Sequence, residues 1–308
     1  MSKVSFVCPI YNKKKYLPYV LKSIKEQKGS FEKEYIFIND GSQDGSLEYL
    51  KKSTSKWKNI LIINQTNKGP ASATQLGITR ANGDFIKLVG GDDIMAPFCT
   101  ELLLTMIKKS KTVAVFSNYE LLDNYKNINY QNDLVRNLRV INKPLLQTIK
   151  SSYSGTTPNL FCNKSIRISG GCEEKIFVED FSLVLGLSNL GNFCFIDNIT
   201  SYGPKNDHER IMISKKAQLM HDYNAALYYF FKSNPKVNPS IQKVACIKSL
   251  GRAEKWYRRE FKGNKFNRMN FYKFLIYLGK NDYLEMIKKS CYFFYKDSKD
   301  NLIRYKIS

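Results

Sequence analysis

The segment "EYIFINDGSQDGS", residues 34–46, passes from an apolar strand into a polar turn and then into the start of a helix. Its apolar run from Tyr35 to Ile38 is typical of a strand that is buried on both faces. Asn39 and Asp40 end that run, and the glycines and serines that follow lead into a predicted helix over 43–54. Asp40 then has two interpretations: a cap of that helix, or a side chain held at a strand end to accept a hydrogen bond from a ligand.

The same order of strand, polar turn and helix is repeated on both sides of this segment. Predicted strands at 4–9, 34–40, 59–64, 84–89 and 112–118 alternate with predicted helices at 16–28, 43–54, 70–81 and beyond Pro97. Gly69-Pro70 opens the third helix, because proline is tolerated in a first helical turn. Strands separated by helices of about 10–15 residues indicate βαβ units. We therefore predict an α/β fold with a mainly parallel sheet and helices on both faces.

The regular alternation stops near residue 120, where a different organisation begins. Residues 120–160 are rich in Asn and Tyr and indicate an excursion or an extended loop. Order returns with "PNLFCNKSI" (158–166), a helix near 179–190 and a strand at 192–198. From about residue 208 the apolar spacing is helical throughout. We predict one domain at 1–207, with halves at 1–118 and 119–207, and a helical region at 208–308.

The composition narrows the class of protein. With 43% hydrophobic residues the chain is globular and not a disordered basic tail. Its seven cysteines show no CxxC spacing, which indicates free thiols in a reducing compartment and excludes a zinc module. Only two histidines occur, so we expect a catalytic metal to be held by carboxylates, the ligands that suit Mg²⁺ or Mn²⁺. No signal peptide and no apolar stretch of the roughly 20 residues of a membrane span is seen, which predicts a cytoplasmic protein.

The net charge of +22 is large and unevenly distributed. Residues 211–308 hold 21 Lys and Arg against 7 Asp and Glu, interleaved with many aromatic residues. Such a surface indicates an anionic partner: lipid headgroups, nucleic acid or a phosphorylated substrate. Two interpretations of this region stay open. It is either a helical cap whose lysines are solvated, or a contact with the surface of an anionic membrane, which would make the protein peripheral on the inner face of the cytoplasmic membrane.

Polar and acidic residues follow four successive strands. They are Pro9, Tyr11 and Asn12 at the end of the first strand, Asp40 at the end of the second, Asn67 and Gly69 beyond the third, and Asp92 and Asp93 beyond the fourth. In an open α/β sheet ligands bind beyond the carboxyl ends of the strands, so these residues predict one site. Neither GxGxxG nor GxxxxGK[ST] is found, which argues against a dinucleotide or Walker-type phosphate site. Tyr11 is either a ring that stacks on a base or a packed core aromatic, and the adjacent aspartates are either metal ligands or ordinary loop residues.

A family resemblance joins these motifs. "VSFVCPIYNKKKYLPYVLKSIKEQ", "EYIFINDGSQDGS", "NKGPASATQLGITRANGDFIKL", "DDIMAP" and "SGGCEEKIFVEDFSLVLGLSNLGNFCFID" stand in the order and spacing of glycosyltransferase family 2. The chain resembles the inverting members of that family with the GT-A fold, of the type that builds bacterial cell-surface polysaccharide and lipooligosaccharide. The resemblance covers roughly residues 3–203, about two thirds of the chain.

The resemblance implies a role for each matching residue. The residues implied to bind the nucleotide sugar are Pro9, Tyr11, Asn12, Asp40, Asn67, Gly69 and Asp92, with Tyr11 beside the base and Asp40 reading it, usually as uracil. Asp92 and Asp93 match the end of the family's DxDD segment and are implied to bind Mn²⁺ or Mg²⁺ at the diphosphate. Asp180 matches the expected catalytic base, with Glu179 beside it. From the sequence alone, an acidic pair at a helix N-terminus that interacts with the helix dipole is the commoner case.

The resemblance also implies a reaction and its partners: transfer of a hexosyl or N-acetylhexosaminyl group from a nucleotide-diphosphate sugar, expected to be a UDP-sugar, to a glycan or lipid-linked glycan. Because the chain has no transmembrane helices and no QxxRW-type signature, a non-processive transferase fits better than a processive synthase. Two alternatives remain. One is a non-catalytic scaffold with this fold. The other is a nucleic-acid-binding protein, which accounts for the basic region but leaves residues 1–203 unexplained. The oligomeric state is left open.

The sequence departs from the family in two places. Gly90 stands where the family usually has the first Asp of DxDD, and Thr74-Gln75 replaces the usual Arg-Asn after the NxG turn. The first change removes an acidic contact and the second removes a positive charge near the donor. Lys68 or Lys87 is the candidate to restore that charge.

Overall fold

The computed structural model describes residues 1–126, 128–130, 133–135, 137–151, 153, 156–205, 216–261, 268–279, 282–296 and 303–307. The chain divides into two compact units. The first comprises Met1–Pro144, Ser154–Cys172 and Gly186–Asp207, and the second comprises Leu145–Tyr153, Glu173–Leu185 and His208–Ser308. The boundary predicted between residues 207 and 208 lies outside the described residues.

The first unit begins with a parallel arrangement of four strands and three helices. Its elements are β1 (Lys3–Ile10), α1 (Leu17–Lys25), β2 (Glu32–Asp40), α2 (Ser46–Ser53), β3 (Ile60–Gln65), α3 (Pro70–Arg80) and β4 (Phe85–Leu88). The strands lie in the order β3-β2-β1-β4 and all three pairings are parallel. The predicted βαβ units are thus present, and they bring the carboxyl ends of the four strands to one edge.

The rest of the sheet is mixed in direction. The elements that follow are β5 (Ile94–Met95), α4 (Cys99–Ser110), β6 (Ala114–Leu122), β7 (Leu138–Ile141), α5 (Leu145–Ser151), β8 (Asn159–Cys162), α6 (Asn163–Ser169), α7 (Glu179–Ser188) and β9 (Phe193–Pro204). The order continues β4-β8-β6-β9-β5, with β7 paired to β9. β8 runs antiparallel to both β4 and β6.

The stretch from 120 to 160 is more ordered than the sequence predicts. β6 continues to Leu122, and the described residues beyond it contain β7 and α5. Along β6 the burial pattern changes from fully buried to alternating, as one face of the strand becomes exposed. This half-exposed polar pattern hides the second half of the strand from a search for apolar runs.

The second unit is helical in its described part, as the sequence predicts. With α5 and most of α7 it contains α8 (Lys216–Ser233), α9 (Pro239–Phe261), α10 (Arg268–Tyr277) and α11 (Tyr283–Lys296). Its core takes aromatic side chains such as Phe231 and Phe294, which are 2% and 0% exposed. Among the helices of the described ranges, none has the length and apolar content needed to cross a bilayer. The seven cysteines are all free, as predicted.

Candidate functional site at the strand ends

Asp40, the last residue of β2, organises the turn that precedes α3. Its carboxylate is almost fully buried and accepts hydrogen bonds from the backbone N–H groups of Lys68 (2.8 Å) and Gly69 (2.9 Å). The amide of Gln65 donates a third bond at 2.8 Å. The alternative that Asp40 caps the helix after its own strand is wrong: α2 begins six positions later, at Ser46, with no side-chain cap. Asp40 instead fixes the start of α3.

Tyr11 and Asn12 extend beyond β1 and take different roles. The Tyr11 side chain is 45% exposed, which excludes the core-aromatic interpretation. Asn12 adopts the left-handed conformation with φ 51°. Its N–H donates to the Ser42 hydroxyl at 3.0 Å, and its side-chain oxygen accepts from the Gln43 N–H at 2.8 Å. Asn12 therefore binds the loop after β1 to the loop after β2.

The turn after β3 comes close to the turn after β2. Gly41 has φ +74°, and a Cβ built on it would lie 2.8 Å from the backbone nitrogen of Asn67. Only glycine allows this approach without displacing the backbone. Gly69 has φ 93° and directly precedes Pro70, the first residue of α3. Asn67 and Gly69 thus belong to the same strand-end cluster as Asp40, as the sequence predicts.

Asp92 is paired with a cation that the sequence motifs did not single out. The Lys13 ammonium lies 2.7 Å from Asp92 Oδ2, and both side chains are largely buried. The backbone carbonyl of Asp92 accepts a hydrogen bond from the Tyr125 hydroxyl at 2.5 Å. Burial, and after it the charges of Asp93 and Asp92 among others, raises the pKa of this tyrosine, so its hydroxyl stays protonated and donates.

The Asp93 carboxylate accepts hydrogen bonds from two hydroxyl groups. Its Oδ1 accepts from Tyr119 at 2.8 Å, and its Oδ2 accepts from Thr157. The Thr157 hydroxyl oxygen also accepts from the Gly90 N–H at 2.9 Å, so threonine joins the two ends of the GGDD turn. Burial, followed by the charges of Asp93 and Asp92, raises the pKa of the nearby Cys8 thiol and keeps it neutral.

Position 90 has no room for a side chain, because Asp93 occupies the space beside Gly90. A Cβ on Gly90 would lie 2.6 Å from Asp93 Oδ2 and 3.0 Å from its Cγ. Real Cβ atoms do not approach an oxygen so closely, so any side chain here requires Asp93 to move. The absence of the family's acid at Gly90 is therefore linked to the conformation of Asp93.

The second departure from the family, Thr74-Gln75, has a structural role. Thr74 is fully buried in α3. The Gln75 side-chain oxygen accepts from the Cys172 N–H at 2.8 Å, and its amide donates to the Gly170 carbonyl at 3.3 Å. Gln75 therefore holds the turn at residues 170–172.

Lys87 is buried and does not replace the positive charge near the donor that is lost with Thr74-Gln75. It is fully buried, and its ammonium donates to the backbone carbonyls of Thr157 and of Asn159, the latter at 2.8 Å. Burial lowers its pKa, and the neighbouring Cys99 and Asp93 oppose this effect. Lys87 fixes the segment that carries Thr157. Of the two proposed replacements, only Lys68 lies exposed next to the strand-end cluster.

The carboxylates of Asp92 and Asp93 suit a divalent ion that is also bound by the phosphates of a substrate. Within the described ranges no group of three or more His, Cys, Asp or Glu is arranged to hold a metal. Mg²⁺, however, is commonly bound through one or two carboxylates together with phosphates of the substrate. The donor set therefore fits an ion that arrives with a diphosphate, and the Lys13 ammonium already pairs with Asp92.

Glu179 and Asp180 open α7 in the second unit and have different environments. Glu179 is buried, and burial followed by the charge of Asp180 raises its pKa to about 8. Asp180 is half-buried and accepts a hydrogen bond from the Phe181 N–H at 2.8 Å. Burial thus favours the protonated form of Glu179 at neutral pH.

The segment that leads into α7 is held by α8. The fully buried Asp222 accepts from the Phe177 N–H at 2.7 Å, and His221 Nδ1 lies 2.6 Å from the other carboxylate oxygen. The Phe181 ring packs edge-on against Tyr223 at 5.1 Å. Consecutive residues of α8 therefore fix the backbone on both sides of Asp180.

Four of the side chains that shape the aspartate cluster were missed by sequence reasoning: Lys13, Tyr119, Tyr125 and Thr157. Lys13 lies three residues beyond the end of β1, and its position in the strand-end cluster was the one signal that could have found it. Tyr119, Tyr125 and Thr157 lie in or near the excursion at 120–160. They reach the aspartates only through the fold, across 26 to 64 positions of sequence.

A concavity of about 470 Å³ lies at the opposite edge of the parallel strands. Lys3 and Glu34 line it and pair with each other at 3.2 Å. Since ligands of open α/β sheets bind at the carboxyl ends of the strands, we place the candidate site at the cluster of Tyr11, Asp40 and Asp92.

Comparison with known proteins identifies the family. The profile of Glycosyl transferase family 2 matches residues 5–167, more than half of the chain, and the chain belongs to this family. An uncharacterized glycosyltransferase of Haemophilus influenzae is 34% identical over 125 residues, 40% of this chain and 49% of that protein. The hyaluronan synthase of Pasteurella multocida is 26% identical over 218 residues, 69% of this chain and 22% of that protein. The chain spans half or less of the length of these relatives.

Solved structures show the same fold. The crystal structure of S. aureus TarS 1–349 in complex with UDP-GlcNAc superimposes with a TM-score of 0.66 at 16% identity, covering 94% of this chain and 83% of that one. The TarS 1–349 complex with UDP superimposes with a TM-score of 0.63. The expectation of a GT-A α/β fold is confirmed by this likeness, which at 16% identity concerns the fold alone.

Proposed function

We propose that the chain is a non-processive, inverting glycosyltransferase that moves a sugar from a UDP-sugar to a hydroxyl of a glycan or lipid-linked glycan. The observation that carries this proposal is the cluster of Tyr11, Asp40, Gly69 and Asp92 at adjacent carboxyl ends of parallel strands. Family membership supports it, as does the UDP-GlcNAc bound by the similarly folded TarS. The names of the hyaluronan and chondroitin synthases among the relatives support a product in cell-surface polysaccharide or lipopolysaccharide synthesis.

The donor would bind along the strand ends. The exposed Tyr11 ring offers a face for stacking on the uracil. Asp40 is engaged by backbone N–H groups, so we assign it to shaping the base pocket as well as reading the base. Pro9, near the end of β1, and Asn12, beyond its end, complete one wall, and the turn from Asn67 to Gly69 provides the wall after β3.

The leaving diphosphate accumulates negative charge as the glycosidic bond breaks. Mn²⁺ or Mg²⁺, held by Asp92 and Asp93, would offset that charge when bound with the donor. The Lys13 ammonium adds a positive charge that belongs to the protein itself. Lys13 therefore lowers the need for the ion, and we expect the enzyme to be less dependent on metal than its family pattern implies.

Asp180 is assigned as the general base. The acceptor hydroxyl loses its proton to Asp180 while its oxygen bonds to the anomeric carbon, and the bond from that carbon to the diphosphate breaks on the opposite face. The protonated Glu179 beside it does not compete for this proton. The assignment of Asp180 follows the family motif. In this proposal residues 1–207 form the catalytic domain. Residues 208–308 form a helical region that places the enzyme at the inner face of the cytoplasmic membrane.

A donor screen by nucleotide release, with and without Mn²⁺, tests the proposal. We expect one UDP-sugar to give metal-stimulated release of UDP. Isothermal titration with the same panel separates the alternatives. UDP binding without turnover with any acceptor tried would favour the non-catalytic scaffold, for which the Lys13–Asp92 pair and Gly90 are the motivating observations. Tight, strongly salt-dependent binding of RNA or DNA without UDP binding would favour the nucleic-acid alternative.

A further inference from the structure

Helix α10 carries a row of large apolar side chains that face solvent. Phe271 is 54% exposed, Phe274 57%, Tyr277 74% and Leu278, which directly follows the helix, 64%. Positions 271, 274 and 278 are spaced by three and four residues, so they lie above one another on one face of a helix. Tyr277 flanks this row. We call these four residues the aromatic face of α10.

The opposite side of α10 is packed against the second unit, which fixes the direction of the aromatic face. Ile276 is fully buried. Lys273 forms an ion pair with Glu254 of α9, and the Lys289 ammonium of α11 lies over the Tyr272 ring at 5.6 Å from its centroid. The three anchored positions, 272, 273 and 276, lie about 170° around the helix from the centre of the exposed row at 100° per residue.

The concentration of these side chains is unusual for a surface. Elsewhere, exposed apolar residues such as Leu134 (63%) and Ile168 (64%) lie singly on the chain, which is normal for a folded protein. Four large side chains within eight consecutive positions instead form a contiguous patch, and such patches mark sites of contact with a protein or a membrane.

The charge around the patch distinguishes these two kinds of partner. Residues 211–308 carry 21 Lys and Arg against 7 Asp and Glu. Lys255 and Arg259 are exposed on α9, the helix that packs against α10. A second copy of the chain would bring the same excess of positive charge to the interface. An anionic bilayer instead satisfies both features, since it accepts apolar side chains below a layer of negative headgroups.

We propose that the aromatic face of α10 inserts into the headgroup region of an anionic phospholipid bilayer, with the helix lying in the plane of the membrane. The surrounding lysines and arginines contact the phosphates of the lipids. This membrane contact rests on the proposed function, because a lipid-linked acceptor would be reached from the membrane surface. The binding itself does not depend on transfer activity and is measured separately.

Co-sedimentation with vesicles tests the proposal. The full chain is mixed with vesicles of phosphatidylcholine alone and with vesicles containing phosphatidylglycerol. We expect binding to the anionic vesicles that weakens with salt. The triple variant F271S/F274S/L278S should reduce the partition coefficient at least tenfold. The matched control L134S/I168S/L190S removes three exposed apolar side chains from the first unit and should bind as the unsubstituted protein does.

Further measurements separate membrane contact from a loss of folding and from self-association. Circular dichroism and the thermal midpoint of the triple variant should match those of the parent, because the replaced side chains are exposed. The proposal would be overturned if the parent and the triple variant bound vesicles equally, or if the parent did not bind anionic vesicles. If the variant lost only self-association in sedimentation velocity, the face would bind a second copy and the membrane assignment would be wrong. UDP release in solution, measured on the same proteins, reports the proposed function independently.

Discussion

The Lys13 ammonium lies 2.7 Å from Oδ2 of Asp92, and both side chains are less than one-fifth exposed. This pair places a protein cation on the carboxylate that the family motif assigns to a metal. Asp92 therefore has two possible partners of positive charge, one permanent and one exchangeable. Their competition should be visible in the metal dependence of the enzyme.

Replacing Lys13 by Met should lower the Mn²⁺ concentration needed for half-maximal UDP release. The removed ammonium no longer competes for Asp92. We expect a change of at least about fivefold, the upper end for an exposed ion pair, because this pair is largely buried. Activity without added metal should fall in the same variant, because the charge that faces the diphosphate is lost. K14M is the control, since Lys14 is exposed on the same loop. Identical Mn²⁺ titrations for K13M and the parent would argue against competition at Asp92.

Replacing Asp180 by Asn should lower kcat by about 10²- to 10⁴-fold, the usual contribution of a positioned general base. Binding of the UDP-sugar, measured by titration calorimetry, should stay nearly unchanged, because the substitution leaves the strand-end cluster intact. E179Q is the matched comparison and should retain most activity at pH 7, since Glu179 is already protonated. Turnover that survives in D180N would show that another group takes the proton.

Glu179 should make the free energy of unfolding depend on pH. Burial, and then the charge of Asp180, raises its pKa from 4.5 to about 8. Between these values the folded protein holds a proton that the unfolded chain has released. The stability contribution is therefore fully present below about pH 4.5 and is lost as the pH rises towards 8, with a limiting slope of about 1.4 kcal/mol per pH unit. In urea denaturation at pH 5, 6.5 and 8, E179Q should decline less steeply than the parent. Parallel curves would contradict the assigned protonation.

Two glycine-to-alanine substitutions should have opposite effects on stability. G90A places a Cβ 2.6 Å from Asp93 Oδ2, and we expect a loss of about 1–3 kcal/mol. G251A lies inside α9 with nothing within 4 Å of its Cβ, and we expect a gain of about 1 kcal/mol from helix propensity. Thermal unfolding of both variants checks the difference. A neutral G90A would mean that Asp93 turns away at little cost, and G90D would then be expected to fold.

The local pattern of the chain was enough to predict the strand ends. The strands that end at Ile10, Asp40 and Leu88 were recognisable because a strand buried on both faces needs nearly continuous apolar sequence. Parallel pairing then brings their polar ends together, so the grouping of Asp40, Gly69 and Asp92 follows from topology alone. The assignment of roles to these residues came from the family motif and not from this geometry.

What could not be predicted depends on contacts between distant parts of the chain. Lys87 looked like a possible donor-side cation, yet it is buried under the segment of Thr157 and binds its backbone carbonyls. Tyr119 and Tyr125 come from a stretch without periodicity, so no local signal indicated that they would contact the aspartates. The antiparallel insertion of β8 was missed for the same reason, because a four-residue strand carries too little sequence to reveal its direction.

The hydrogen bonds that join the loops after β1 and β2 have a consequence for engineering this enzyme. Asn12 binds Ser42 and Gln43, and the Lys14 N–H donates to Asp44 at 2.9 Å. Neither loop therefore has an independent conformation. A chimera that imports only one of them from a relative with another donor would lose these partners, so donor preference in this family member should be transferable only when residues 11–14 and 41–46 are exchanged as a pair.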